Sequence, residues 1–151
     1  MSDLAIRHAE PSDHARVTAV LDEWWGGGRR MVDMLPRLFF THFRDTSFVA
    51  ERNGELAGFL IGFVSQSEPE AAYVHFVGVS PLERGSGLGR ELYERFFEVA
   101  RARGRRTVSC VTSPANAGSL AFHHAIGFEP SPPQAGYDGP GEDRVVLTRS
   151  I

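Results

Sequence analysis

Val79-Ser80-Pro81-Leu82-Glu83-Arg84-Gly85-Ser86-Gly87-Leu88-Gly89-Arg90 joins a segment rich in aromatic and β-branched residues to a long segment of helical period, and its reading decides the fold. Three glycines within five residues let the backbone approach a ligand closely. The first free N–H groups of the following helix, with the positive end of its dipole, form an anion site that suits a pyrophosphate. The alternative is a plain glycine-rich turn into a helix. Two familiar phosphate motifs fail: the spacing is Gly-x-Gly-x-Gly rather than Gly-x-Gly-x-x-Gly, and a sequence without lysine has no Walker-type loop.

Downstream, 87–103 places Leu88, Leu92, Phe96 and Val99 or Ala100 on one helical stripe that Gly104 ends. A strand over 107–112 follows, then a short helix from Asn116 as cap to Gly127, then strands at Phe128 and 144–148. Upstream, 73–79 is a strand, and 47–52 and 56–66 are strands joined at Asn53-Gly54, a pair suited to the positive φ angles of a primed hairpin turn. Before them come a strand over 4–8, a helix from Ser12 or Asp13 to about Trp25, and a helix over 32–43 with Asp33 as cap and Pro36 in its first turn. The order β-α-α-β-β-β-α-β-α-β-β gives a mixed α/β sheet, with three antiparallel strands followed by a strand-helix-strand crossover. At 151 residues and 42% apolar composition, 1–151 reads as a single domain without internal repeats.

A formal charge of -3 gives no basic footprint for a nucleic-acid partner. All 16 basic residues are arginine, so one arginine alone says little. No apolar run approaches the ~18 residues that cross a bilayer, and charges interrupt the first residues where a secretory signal would be apolar, so a cytoplasmic protein without a membrane role is expected. Cys110 is the only cysteine, which excludes an internal disulfide and a thiolate-rich zinc site and reads as a small buried hydrophobe.

The run Arg84-Gly85-Ser86-Gly87-Leu88-Gly89, preceded by Val79-Ser80-Pro81, resembles the Arg/Gln-x-x-Gly-x-Gly/Ala pyrophosphate loop of the GNAT N-acetyltransferase superfamily. Asn116, Ala121 and Ile126-Gly127-Phe128 resemble its cofactor-side helix and terminal Gly-Phe. The resemblance implies the GNAT fold and transfer of acetyl from acetyl-CoA to a primary amine, directly in a ternary complex and without metal. It further implies that Gly85, Ser86, Gly87, Leu88, Gly89 and Arg90 hold the coenzyme pyrophosphate by backbone N–H groups, with Arg84 shaping the loop. Main-chain groups of Val77 and Val79 would pair with the pantetheine arm where strands splay, and Asn116 and Ser119 would face that arm from the other side.

An amine must lose a proton before it attacks a thioester, and the departing thiolate must gain one. The family often has a tyrosine four residues before the Gly of Gly-Phe; here the residue is His123, on one helical face with Asn116 and Ser119 at spacing i, i+3, i+7. His123 is the candidate acid; the alternative is that it and His124 are surface residues at a helix end. Tyr73, His75 and Val77 alternate along one strand face, and Tyr73 falls where several family members carry a catalytic glutamate. Tyrosine is a poor base, so His75, with a reference pKa of about 6.5, is the better candidate, with water or a purely structural histidine as alternatives.

For the acceptor, the resemblance points to the segment from Trp24 to Met31 and to the loop over 130–143. Asp138, Glu142 and Asp143, with Tyr137 between the prolines and glycines, would hold a cationic amine, and Trp24 or Trp25 would stack over it; an exposed turn and helix-end packing are the alternatives. A non-catalytic acyl-CoA sensor, or an enzyme acting on a protein N-terminus or lysine, would carry the same loop. The identity of the amine, acetyl against a longer acyl group, and a homodimer against a monomer stay open.

Overall fold

The hairpin turn and the glycine loop organise the chain. Asn53 and Gly54 adopt φ of 53° and 80°, the pair of positive angles that lets two strands reverse in two residues. In this computed structural model, which describes residues 3–27 and 30–151, the order is β1 (Leu4–His8), α1 (Asp13–Trp24), α2 (Leu38–His42), β2 (Phe48–Arg52), β3 (Glu55–Val64), β4 (Ala71–Val79), α3 (Leu88–Ala102), β5 (Thr107–Thr112), α4 (Ala117–Ala125), β6 (Glu129–Pro130) and β7 (Val145–Ser150). Short 3-10 turns cover Val32–Met34, Arg44–Thr46 and Pro81–Glu83. The strands form one sheet in the order β1-β2-β3-β4-β5-β7-β6. Only β4 and β5 run parallel, and α3 makes the crossover a parallel pair requires.

Two apolar layers cover the two faces of the sheet. On one, Val17, Leu21 and Trp24 of α1 and Phe40 of α2 pack with Val49, Phe59, Ile61 and Phe76. On the other, Leu88, Leu92, Tyr93, Phe96, Phe97 and Ala100 of α3 pack with Ala50, Leu60, Val74, Val108 and Leu147. Gly62 lets α3 lie this close, since a Cβ there would meet the Phe96 ring at 2.5 Å.

The expected helix over 32–43 is not continuous. Leu35 sits at φ -136° and ψ 68°, because the residue before a proline is kept out of the helical region; Pro36 therefore divides a 3-10 turn from α2. Asp33 is not a cap and instead accepts from Arg30 Nε at 2.9 Å. Ser12 forms no side-chain cap, while Asp13 turns back to accept from Glu10 N at 2.8 Å and binds both terminal nitrogens of Arg7. Burial would raise the Asp13 pKa, but Arg7 and the Glu10 N–H hold it below its ordinary value. Among the described residues no helix is long and apolar enough to cross a membrane.

Candidate functional site

The parallel strands separate soon after they meet. β4 pairs with β5 only at Ala71 with Thr107, Ala72 with Val108 and Tyr73 with Ser109, whereas β4 stays on β3 as far as Val79 and β5 stays on β7 as far as Thr112. A gap therefore opens at the carboxyl ends of two parallel strands, where open α/β sheets bind ligands. A bulge contributes to it: Ile61 faces Phe76 but Gly62 faces Val74, so His75 is an extra residue in β4, and an inserted residue bends and twists its strand.

The register assigns the backbone groups bordering the gap. Ser80 N donates to Ala57 O at 2.8 Å, and Gly78 and Phe76 follow opposite Phe59 and Ile61. Alternation turns those residues' peptide groups toward β3 and the N–H and C=O of Val77 and Val79 into the gap. The bulge also corrects the expectation that Tyr73, His75 and Val77 share a face. Phe76 packs with the α1/α2 layer, while Val77 and Val79 pack with the α3 layer. His75 belongs with the former: its ring stacks on Phe39 at 4.3 Å and 9°, and its Nε2 donates to Met34 O at 2.6 Å. That bond puts a proton on Nε2, so in the neutral ring Nδ1 is the acceptor.

Beside the gap lies the glycine loop. Gly85 and Gly87 have φ of 84° and 87°, with open space where a Cβ would stand, so conformation alone requires glycine there. Gly89, in the first turn of α3, is required by contact instead: a Cβ would lie 2.9 Å from Phe122 Cζ of α4. The first helical bond runs from Glu91 N to Gly87 O and no side chain caps α3. The N–H groups of Gly87, Leu88, Gly89 and Arg90 thus precede any helical bond, at the positive end of a 15-residue helix. Glu83 anchors the loop through Arg52, at 2.6 Å to Nε and 3.0 Å to Nη2. Arg84 and Arg90 both turn their side chains aside, Arg84 to Trp24 O at 2.8 Å and Arg90 to Ala125 O at 3.3 Å.

Across the gap, Asn116 caps α4 by accepting from Ser119 N at 3.1 Å, and it is exposed with Ser119 half-buried. His123, on the same face, is 5% exposed. Its Nδ1 lies 2.8 Å from Ser119 O, an acceptor only, so Nδ1 carries the proton and Nε2 accepts from the Tyr93 hydroxyl at 2.7 Å. Burial lowers the His123 pKa. A neutral ring with both nitrogens occupied inside the core does not suit the acid role expected of it. Sequence alone does not single out Tyr93, although its spacing to Phe97 and Ala100 puts it on the buried stripe of α3.

Tyr73 stands at the last β4–β5 pair, half-buried against Phe63, and burial raises its phenol well above the ordinary value. Cys110 is 5% exposed and burial pushes its thiol up to about 12, so it is no nucleophile. Trp24 is a core residue, 8% exposed and stacked on Phe59. Trp25 is half-buried and sets its edge on Phe76 at 4.8 Å; Gly28 and Arg29, within the expected acceptor segment, lie outside the described residues. The acidic loop is self-paired: Asp138 and Glu142 each bind Arg144 at 2.9 Å, and Asp143 accepts from Gly136 N at 2.9 Å. Those carboxylates are therefore committed within the loop, and Tyr137, 47% exposed, is its open side chain. Among the described residues no group of three or more His, Cys, Asp or Glu is placed to hold a metal ion.

Comparison with known proteins agrees with this geometry. The acetyltransferase (GNAT) family model matches residues 10–128. An L-methionine sulfoximine/L-methionine sulfone acetyltransferase of Salmonella typhimurium is 32% identical over 136 residues, covering 83% of this chain and 80% of that protein. An L-2,4-diaminobutyric acid acetyltransferase of Nocardia farcinica is 34% identical over 89 residues, 59% of this chain and 46% of the relative; the chain spans about half the length of several such relatives. Among solved structures, a GNAT-family protein of Desulfovibrio desulfuricans superposes with a TM-score of 0.83 at 21% identity, covering 97% and 98% of the two chains. The yncA protein of Salmonella typhimurium, solved with its cofactor acetyl-CoA, gives 0.74 at 21% identity over 98% and 94%. With a mixed seven-stranded sheet, a splayed parallel pair and a matched family model over most of its length, the chain belongs to the GNAT acetyltransferase family.

Proposed function

We propose that this protein transfers the acetyl group of acetyl-CoA to the primary amine of a small acceptor, by direct attack while both are bound. The observation that carries the reading is the uncapped start of α3 beside the gap between β4 and β5. Gly87, Leu88, Gly89 and Arg90 would take the pyrophosphate on their N–H groups, and Val77 and Val79 would pair with the amide-bearing arm as an added strand. The thioester then reaches the apex of the gap at Tyr73. A phenol held above its ordinary value hydrogen-bonds the leaving sulfur more readily than it surrenders a proton, so water supplies the proton. His75, with Nδ1 as acceptor, is the side chain best suited to take the amine's proton. The buried Cys110 supports direct attack over an acyl-enzyme.

The relatives named above acetylate free amino acids, which supports an acceptor of that size. The test is thiol release from acetyl-CoA across an amine panel containing 2,4-diaminobutyrate and methionine sulfone. Release that depends on an amine supports the reading. Tight acetyl-CoA binding without amine-dependent release from a broad panel would make the protein a sensor.

A further inference from the structure

The side chain of Arg84 leaves the loop that carries it. Its Nη2 donates to Trp24 O at 2.8 Å, 60 residues earlier in the chain. Trp24 is the last residue of α1, and α1 has no basic residue in its last turn. Arg84 therefore supplies the positive charge that the negative end of that helix lacks. The next residue, Trp25, lies edge-on to Phe76 and shares with Phe59 the space left by Gly78, where a Cβ would be 2.7 Å from Phe59 Cε1 and 3.0 Å from Trp25 Cη2. Gly78 sits between Val77 and Val79, whose peptide groups border the gap. Trp25 is thus held on the sheet face that also carries His75, beside the strand along which the donor would lie.

On the acetyltransferase reading above, we infer that Arg84 is a positioning residue for the acceptor rather than a ligand of the cofactor. Its guanidinium ties the pyrophosphate loop to the end of α1, and so sets Trp25 as one wall of the acceptor site. The loop contacts the cofactor through backbone N–H groups while its arginine reaches the opposite layer, so donor and acceptor sites share one rigid connection.

The experiment compares Arg84→Gln, Arg84→Lys, Trp25→Leu and the double variant Arg84→Gln/Trp25→Leu. Calorimetry gives acetyl-CoA affinity, and thiol release with whichever of 2,4-diaminobutyrate or methionine sulfone the wild type accepts gives KM and kcat. Arg84→Gln is expected to raise the acceptor KM about tenfold, in line with loss of a charge-assisted hydrogen bond, while acetyl-CoA affinity stays within about twofold. Arg84→Lys should recover part of the loss, because an ammonium can still donate to the carbonyl. The double variant should be no worse than Trp25→Leu alone. A tenfold loss of acetyl-CoA affinity with unchanged acceptor KM, or additive effects in the double variant, overturns the inference. A wild type that releases no thiol overturns the acetyltransferase reading instead. Acrylamide quenching of tryptophan fluorescence then still decides the positioning role: Arg84→Gln must raise quenching of Trp25, and unchanged quenching counts against it.

Discussion

The Tyr93 hydroxyl and His123 Nε2 meet 2.7 Å apart inside the core, one from α3 and one from α4. Cys110 Sγ lies 3.9 Å from the same hydroxyl, so three polar side chains share a site between β5 and the two helices. Burial favours the neutral ring, and with the Nδ1 proton given to Ser119 O its Nε2 is an acceptor that satisfies a buried phenol.

A pH dependence follows from burial, which lowers the His123 pKa below that of the unfolded chain. Below about 6.5 the unfolded state takes up a proton that the native state refuses, so this contribution is present above that pH and is lost as pH falls toward the native pKa. Denaturant midpoints of the wild type should fall between pH 7 and 5 by more than those of His123→Gln, whose amide oxygen can still accept from Tyr93. Identical slopes for the two proteins would show that His123 does not titrate this way. The same variant should keep kcat within a few-fold, whereas a positioned acid contributes roughly 10²–10⁴-fold.

Gly89 and Gly87 should respond differently to alanine. At Gly89 the added methyl meets the Phe122 ring, an overpacking expected to cost about 1–3 kcal/mol and to move α4 against α3. At Gly87 there is open space but a left-handed φ of 87°, and the cost is about 1–2 kcal/mol of backbone strain. Thermal unfolding of both variants, with a Gly89→Ala/Phe122→Leu rescue, checks the distinction. Rescue should restore most of the loss only at Gly89.

Cys110, buried and with its thiol pushed up to about 12, should resist alkylation at pH 8 in the native protein and react at once in denaturant. Rapid native-state labelling would reopen a covalent route.

Much of the fold was legible in the sequence because its signals are local. Asn53-Gly54 specifies its turn, the apolar stripe from Leu88 to Ala100 specifies α3, and the glycine loop lies where the spacing predicts. What was not legible depends on partners distant in the chain. An alternating pattern carries no trace of the β3 register that makes His75 an extra residue, so Val77 was assigned to the wrong face. The acidic loop is the exception: its partners are near in sequence, but the charge pattern of 138–143 does not show that the loop folds so that Asp138 and Glu142 pair with Arg144 and Asp143 with the Gly136 N–H. His123 looked like a free titratable group because its partner, Tyr93, lies on another helix. The motif assigns Arg84 to shaping the pyrophosphate loop and carries no sign that its side chain reaches the end of α1.

Titration of acetyl-CoA into the wild type and Gly87→Val, followed by calorimetry with circular dichroism to confirm folding, is the most direct measurement of whether the start of α3 holds the coenzyme. A β-branched residue cannot keep φ at 87° without strain, so the N–H groups around it lose their common direction. Binding to the wild type and at least a tenfold weaker affinity in a folded Gly87→Val is the expected result; equal affinity in the two folded proteins would place the coenzyme elsewhere.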